Sequence, residues 1–312
     1  MTSEAQGSGT VLMVRPAAFG FHPEAAQSNA FAKASGESDV QRRAVAEFEG
    51  LAERLSSAGI EVLLLADEPD PTKPDAIFPN NWVSFHGDGT MVLYPMATAA
   101  RRLERAAEQL QSLLRSSGFE VRNLVDLSAH EAEDRFLEGT GSLILDRPRR
   151  RAYASLSPRT DAWLAEEFGR RLGFSTLLLD ARDRSGRPIY HTNVLLSLGT
   201  AFAVLCTEVV TEEHRAPLIS DINASGRTLI EVDYEQLGDF ACNLIELRSR
   251  SGDPVIALSS AALRTLRTDQ RHLLESFGSL VDAPIPTIEG VGGGSVRCMI
   301  ADIHLPRVTP AP

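Results

Sequence analysis

The sequence has few cysteines, no long hydrophobic run and no concentration of basic residues. Its three cysteines, Cys206, Cys242 and Cys298, are too few and too scattered for a disulfide framework or a CxxC-type metal site. The longest apolar runs are of strand length, so no segment is expected to span a bilayer as a helix. The first residues are small and polar and lack the basic and apolar regions of a secretory signal, which predicts a cytoplasmic protein.

The net charge of −11, without basic clusters, argues against nucleic acid or an anionic membrane as a partner. With 312 residues, of which 43% are hydrophobic, the chain can bury a large core. No Gly/Ser-rich linker or change of composition divides it. We therefore expect one domain over residues 1–312, with flexible tails at 1–10 and 307–312.

A strand, strand, helix, strand order recurs along the chain. In one copy, strands at Asn81–His86 and Met91–Tyr94 flank a Gly-Asp-Gly turn, and a helix at Ala97–Ser117 precedes a strand at Glu120–Leu124. The order returns in residues 142–179, 194–232 and 244–281. Such repetition predicts an α/β fold with radial or barrel-like repeats rather than a doubly wound sheet.

The N-terminal part begins with a predicted buried strand at Val11–Arg15. A helical pattern then runs from Val40 to Ala58, with Ser38 and Asp39 as its N-cap, and leads to a strand at Glu61–Ala66.

The segment from Gly290 to Cys298, GVGGGSVRC, is the most unusual one in the chain. Consecutive glycines pack nothing and mark a sharp turn or the close approach of a ligand to the backbone. A cysteine beside exposed amide groups is a candidate nucleophile. A flexible loop and a buried structural cysteine are the alternatives, and Cys206 and Cys242, in apolar runs, are interpreted as core.

His191 and Glu138 are candidate partners of that thiol. His191 is predicted to share a strand face with Asn193 through the two-residue period, which favours a site over a structural histidine. Glu138 precedes a Gly-Thr-Gly turn that lacks the remaining spacing of a dinucleotide loop. A buried carboxylate there can bind substrate N–H groups or orient a base. No HxxxH or HExxH spacing is present, so no metal is expected.

The segment from Pro74 to Trp82, PDAIFPNNW, holds polar groups between apolar ones. By itself it is typical of an Asx-rich turn.

In this order, the four segments resemble the guanidino-modifying superfamily with the pentein fold, which includes arginine deiminase, dimethylargininase and the amidinotransferases. The resemblance runs from the strand at Val11 to the loop of Cys298. It implies a five-bladed α/β-propeller of ββαβ units around a central pocket, and no cofactor. By motif, Cys298 resembles the nucleophile, His191 the general acid and base, and Glu138 the carboxylate that binds the nitrogens of the substrate.

Three asparagines depart from the pattern of the guanidinium-binding members. Where these members place further carboxylates, the chain has Asn80, Asn81 and Asn193. A carboxylate facing a neutral ureido oxygen would be left unpaired at a cost of about 1–3 kcal/mol, whereas an asparagine donates to that oxygen. The chain therefore resembles the citrulline-utilisation hydrolase branch, whose members are often labelled only as amidinotransferase or arginine-deiminase-related proteins.

Cationic side chains are expected to bind the α-carboxylate of an amino-acid substrate. Two segments that resemble those of dimethylargininase contain Arg101, Arg102 and Arg159. Arg159 is preferred, since the other two could equally lie on the solvent face of their helix. Asp75, Phe78 and Gly294 complete the expected binding residues, with Phe78 packed against the substrate.

We therefore expect a cysteine-dependent hydrolase that converts citrulline to ornithine, ammonia and carbon dioxide through an S-carbamoyl-type intermediate. Its partner is a small molecule, and a homodimer is a compatible assembly. A guanidine hydrolase of the deiminase or dimethylargininase type stays open because Asp75 and Glu138 are carboxylates. An amidinotransferase and a binding protein without turnover are further alternatives, although a binder needs no nucleophile and base pair.

Overall fold

The computed structural model of the protein describes residues 4–36 and 39–308. Within these residues, strands form five sheets of three strands each. The strands are β1 Thr10–Arg15, β2 Glu61–Ala66, β3 Val83–Phe85, β4 Thr90–Leu93, β5 Asn123–Asp126, β6 Leu143–Asp146, β7 Arg151–Ser155, β8 Ser175–Leu179, β9 Leu196–Leu198, β10 Phe202–Leu205, β11 Thr228–Glu231, β12 Ile245–Arg248, β13 Pro254–Ser259, β14 Ser279–Ala283 and β15 Ala301–Ile303.

Four sheets repeat one connection. In each, two strands pair antiparallel as a hairpin, and the third returns through a helical segment to pair parallel with the second. The fifth sheet joins the two ends of the chain, since β15 pairs antiparallel with β1, which pairs parallel with β2. The five-bladed α/β-propeller of ββαβ units is therefore confirmed.

Helices pack mainly on the third strands of the blades. The longest, Val40–Ser57, buries Phe48, Leu51 and Leu55, which recur at helical spacing on the face toward β2 and β14. The helices are α1 Pro23–Ala26, α2 Val40–Ser57, α3 Ala99–Arg102, α4 Ala107–Ser116, α5 Gly139–Ser142, α6 Ala162–Leu172, α7 Glu212–Ala224, α8 Tyr234–Gly238, α9 Ser260–Thr265 and α10 Thr268–Glu275.

Short helical turns precede several first strands. Strands β3, β9 and β15 are preceded by the turns Pro79–Asn81, Thr192–Val194 and Val296–Met299, whereas the turns Thr207–Val209 and Ser128–Glu133 follow β10 and β5. A π-helical turn, Ile288–Gly292, precedes the turn Val296–Met299.

Two expected helix features are wrong. The helix expected over Ala97–Ser117 is interrupted between α3 and α4, where the Glu104 carboxylate bonds back to Arg101. Asp39 precedes α2 but caps no backbone N–H, because its carboxylate accepts from Arg42 at 2.7 Å. Ser38, the other expected cap residue, lies outside the described residues. The hairpin across Gly87–Gly89 is confirmed: Gly89 adopts φ +91° between β3 and β4.

The described part of the expected N-terminal tail packs against the blades. Glu4 forms an ion pair with buried Arg147, and Gln6 donates to the Leu145 carbonyl at 2.9 Å. Near the other end, the Arg307 guanidinium lies 4.3 Å from the Phe119 ring centroid. Residues 4–10 are thus held by side-chain contacts.

No helix in residues 4–36 and 39–308 has the length and apolarity needed to cross a membrane.

Candidate active site

A small cavity collects polar side chains from distant parts of the sequence. Its lining is Asn29, Asp75, Phe78, Asn81, Arg101, Arg159, Tyr190, His191, Gly292, Gly293, Gly294 and Cys298. Several of these come from the short turns before β3, β9 and β15, so the fold repeats the same site-forming position from blade to blade.

Cys298 lies in the Val296–Met299 turn with 3% of its surface exposed. Its Sγ atom accepts hydrogen bonds from the amide of Asn193 at 3.3 Å and from that of Asn243 at 3.4 Å. Both amides are fully buried. The sulfur is therefore held by neutral donors.

The glycines before Cys298 allow close packing. Gly293 has φ +65°, and a Cβ there would lie 2.5 Å from the backbone nitrogen of Ala32. A Cβ on Gly294 would lie 2.9 Å from the Phe78 ring. Since the loop is tightly packed, the interpretation as a flexible loop is wrong.

His191 and Glu138 form a buried pair beside the cavity. Nε2 of His191 lies 2.8 Å from Oε2 of Glu138. The other carboxylate oxygen accepts from the backbone N–H of Ala97 at 3.0 Å, and Arg159 donates to Oε2 at 3.3 Å. Glu138 is wholly buried behind the cavity lining, and its contact with His191 suits it to orient that imidazole.

The protonation of this pair follows from its surroundings. Burial acts to raise the pKa of Glu138, but Arg159, the bond from His191 and Arg101 outweigh it and hold the pKa far below its usual range. Burial lowers the pKa of His191 to about 4, although Glu138 opposes the shift. A neutral imidazole facing a carboxylate carries its proton on Nε2, which leaves Nδ1 able to accept one.

Arg101 is completely surrounded by acceptors. Its Nε and Nη2 bond the Glu104 carboxylate, each at 2.9 Å, and Nη1 donates to Oδ1 of Asn81 at 2.8 Å. Nε also lies 3.7 Å from Oδ2 of Asp75. With 2% of its surface exposed, Arg101 does not lie on the solvent face of its helix.

Arg159 joins the cavity to the segment around α1. It donates to Ser28 Oγ at 2.9 Å and to the Ala25 carbonyl at 2.6 Å, and its guanidinium lies 5.0 Å from the centroid of the Tyr190 ring. Three of its five N–H groups thus have protein partners, with Glu138 as the third.

Four residues of the site were missed in the sequence: His22, Asn29, Tyr190 and Asn243. Nδ1 of His22 lies 2.8 Å from Oδ2 of Asp75, and Asn29 donates to the Gly293 carbonyl at 3.1 Å. Burial raises the pKa of Tyr190, whose hydroxyl donates to the same carbonyl at 2.6 Å. Of these four residues, only Asn243 had a signal in the sequence, which is its position just before the first strand of a blade.

The structure does not bring all predicted residues to the cavity. Asn80 lies behind the wall, where its Oδ1 accepts from Asn81 at 3.0 Å. Arg102 points to the Met96 carbonyl and the Phe136 ring, away from the cavity. Asn193 is also behind the lining, in a 3₁₀ turn from which its amide donates to Cys298, so the strand-face argument that paired it with His191 is wrong.

A larger cavity of about 390 Å³ adjoins the first on the other side of Tyr190. It is lined mostly by apolar and aromatic side chains, including Phe31 and Tyr234. Cys298 and His191, the residues predicted for catalysis, both line the smaller cavity. Within the described ranges, no group of three or more His, Cys, Asp or Glu side chains is placed to hold a metal ion.

Solved structures share this fold. ArgZ, an arginine dihydrolase from the ornithine-ammonia cycle in cyanobacteria, matches with a TM-score of 0.74 and 19% identity, covering 96% of this chain and 41% of that chain. The chain thus spans about two fifths of full-length ArgZ, while its substrate-bound N-terminal domain matches over 98% of its length with a TM-score of 0.73. DDAH from Pseudomonas aeruginosa, complexed with citrulline, has a TM-score of 0.66 and 15% identity over 95% of this chain and 99% of that one.

These identities show the fold alone, and no curated protein matches the sequence. A family-level match goes further. The model of the eukaryotic N,N dimethylarginine dimethylhydrolase family matches residues 15–305, which include β2 to β15 and every residue of the cavity. The chain therefore belongs to the N,N dimethylarginine dimethylhydrolase family, within the guanidino-modifying superfamily of pentein-fold hydrolases.

Proposed function

We propose that the protein hydrolyses the ureido group of citrulline, with Cys298 as nucleophile. The observation that carries this proposal is the neutral setting of the sulfur. Its hydrogen-bond partners in the described part of the chain are the amides of Asn193 and Asn243, with no carboxylate among them. Because the reacting carbon of the substrate bonds to this sulfur, the reacting group lies beside these amides.

Amides suit a ureido group better than a guanidinium. A guanidinium is a planar cation that is best met by carboxylates, which accept from its N–H groups in pairs. Of the carboxylates near the site, Glu138 is already engaged by His191, Arg159 and Ala97, and Glu104 by Arg101. Asp75, on the cavity lining, is assigned to the α-amino acid end of the substrate. The amides beside the sulfur are then the groups proposed to meet the reacting group, and they both donate and accept, as a neutral urea requires.

The other wall of the cavity offers charges for an α-amino acid. Asp75 is a carboxylate on the lining, suited to an α-ammonium group. Arg159 keeps two N–H groups without a protein partner among the described residues, and these suit an α-carboxylate. Phe78, between the two ends, provides an apolar face for the methylene stem.

The proposed reaction begins as Sγ of Cys298 attacks the ureido carbon and the thiol proton passes to His191. The imidazolium, stabilised by Glu138, gives that proton to the departing nitrogen. Water then loses a proton to His191 and attacks the carbonyl carbon of the covalent intermediate, and the sulfur leaves. The carbamate that forms loses carbon dioxide. In sum, citrulline and one water give ornithine, ammonia and carbon dioxide, whichever nitrogen departs first.

A guanidine hydrolase is the second candidate. The family match and the carboxylate of Asp75 on the cavity wall support it. In that case hydrolysis would remove ammonia from arginine, or dimethylamine from N,N-dimethylarginine, and release citrulline.

A substrate panel tests the proposal. Purified protein is incubated separately with citrulline, arginine and N,N-dimethylarginine, and ornithine, citrulline and ammonia are quantified, with Cys298→Ala as the inactive control. We expect ornithine and ammonia in equal amounts from citrulline. Citrulline formed from either guanidine, without ornithine from citrulline, would establish the second candidate instead.

A further inference from the structure

We infer that Asn243 is a further catalytic residue of this site, which holds the reacting sulfur and joins it to the turn of Asn193. The inference rests on the proposed function only in taking Cys298 as the nucleophile. It does not depend on which substrate is hydrolysed.

Both the nitrogen and the oxygen of the Asn243 side-chain amide contact residues of the site. Its Nδ2 atom donates to the Asn193 carbonyl at 2.9 Å and to Sγ of Cys298 at 3.4 Å. Its Oδ1 atom accepts from the backbone N–H of Arg297 at 3.0 Å and lies 3.7 Å from the same sulfur. Asn243 is wholly buried, so water does not compete for these bonds.

The position of Asn243 in the fold matches that of the other site residues. In each blade, a polar side chain comes from the segment just before the first strand: Asn81 before β3, Glu138 before β6, His191 and Asn193 before β9, Asn243 before β12 and Cys298 before β15. Asn243 is therefore the contribution of the β12 blade to a site that every other blade also builds.

The chemistry of the amide suits a sulfur that gains and loses charge. A donor aimed at an anionic sulfur stabilises it before attack and again when it leaves the covalent intermediate. An aspartate has the same shape but donates nothing at neutral pH, and its charge would oppose that of the sulfur. A carboxyl group at position 243 thus keeps the shape of the side chain, removes the N–H donor and adds a like charge beside the sulfur.

The experiment compares Asn243→Asp with wild type by the rate at which iodoacetamide alkylates Cys298 between pH 5 and 9, read by peptide mass. Because a like charge beside the sulfur disfavours its anion, we expect the alkylation profile to move up by about one pH unit or more. With the substrate identified in the panel, we expect kcat to fall about 10²-fold and KM to change less than about threefold. An unchanged profile and kcat would overturn the inference.

Matched controls separate this outcome from misfolding and from failure of the proposed function. Asn123→Asp makes the same change on an exposed strand and is expected to leave the profile unchanged. Cys206 and Cys242 are buried, so their alkylation reports loss of the fold. If Asn243→Asp unfolds, Asn243→Ser replaces it, and we expect Cys298 to react about tenfold more slowly at pH 7; wild-type reactivity would again overturn the inference. Alkylation needs no substrate, so it decides the role of Asn243 even if citrulline is not turned over.

Discussion

The Nε2 atom of His191 lies 2.8 Å from Oε2 of Glu138, and neither side chain has more than 2% of its surface exposed. An ionised carboxylate at this distance fixes the tautomer of the imidazole and stabilises the imidazolium that forms when it accepts a proton. Glu138 therefore sets both the orientation of the His191 imidazole and its affinity for a proton.

Glu138→Gln keeps the shape of this side chain and removes its charge. We expect kcat/KM to fall about 10²- to 10⁴-fold, the range usual for loss of general acid-base catalysis, with a smaller change in KM. Steady-state kinetics with the substrate identified in the panel measure the effect. Glu108→Gln, an exposed substitution on α4, is the matched control. Full activity in Glu138→Gln would contradict the role of the pair.

The pH dependence of activity should report the depressed pKa of His191. Burial lowers this pKa from 6.5 to about 4, so the imidazole stays neutral, and able to accept a proton, down to about pH 4. We expect the acid limb of kcat/KM near pH 4. A limb between pH 6 and 7, with circular dichroism showing an intact fold, would show that His191 titrates like an exposed histidine.

The same shift predicts a loss of stability in acid. Between pH 6.5 and 4 an unfolded chain binds a proton at His191 that the folded chain does not, so the free energy of unfolding decreases as the pH falls through this window. Urea unfolding at pH 7 and pH 5 measures the change. A His191→Gln variant lacks this titration, and we expect its stability to fall less over the same interval.

Asn193→Asp tests the preference for a neutral substrate. A carboxylate facing the ureido oxygen would be unpaired, at about 1–3 kcal/mol, so we expect citrulline kcat/KM to fall roughly 5- to 150-fold. Arginine should gain affinity because its guanidinium supplies the missing donors. Competition between the two ligands measures the change, and Asn123→Asp serves as the exposed control. Equal losses for both ligands would show damage to the site instead of altered preference.

The buried ion pair of Arg101 and Glu104 is expected to contribute to the free energy of unfolding, apart from any effect on catalysis. Removing the guanidinium by Arg101→Met leaves a buried carboxylate that has lost both of its 2.9 Å bonds. We expect a loss of about 3–5 kcal/mol in the free energy of unfolding, measured with urea. Adding Glu104→Leu should recover part of that loss, because a hydrophobic pair needs no charge partner. No recovery in the double variant would place the loss in the other contacts of Arg101, with Asn81 and Asp75.

The repeat of elements could be predicted from local patterns in the sequence, and the grouping of Cys298, His191 and Glu138 in one region followed from the family resemblance. Cys298 follows a run of glycines, and period-two and helical patterns separate the blades. The signal for Asn243 is only its place just before the first strand of a blade, since it lies in an apolar run and its partner Cys298 is 55 residues away. For Arg101 the solvent face stayed open as an alternative for a related reason, because Glu104, Asn81 and Asp75 come around its guanidinium only in the folded structure.

The role of Glu138 illustrates a further limit. Glu138 could be singled out by motif. The groups that it contacts could not be predicted, because the neighbours of a buried carboxylate depend on packing between blades. Arg159, Ala97 and His191 come from three separate segments and take up its oxygens.

The sheet that joins β1 to β15 ties the turn of Cys298 to a strand that is distant in the sequence. Cys298 directly precedes β15, which pairs antiparallel with β1, and β1 pairs parallel with β2. The position of the proposed nucleophile therefore depends on the hydrogen bonds of β1. A substitution that weakens β1 is expected to displace Cys298, although no side chain of the cavity is changed.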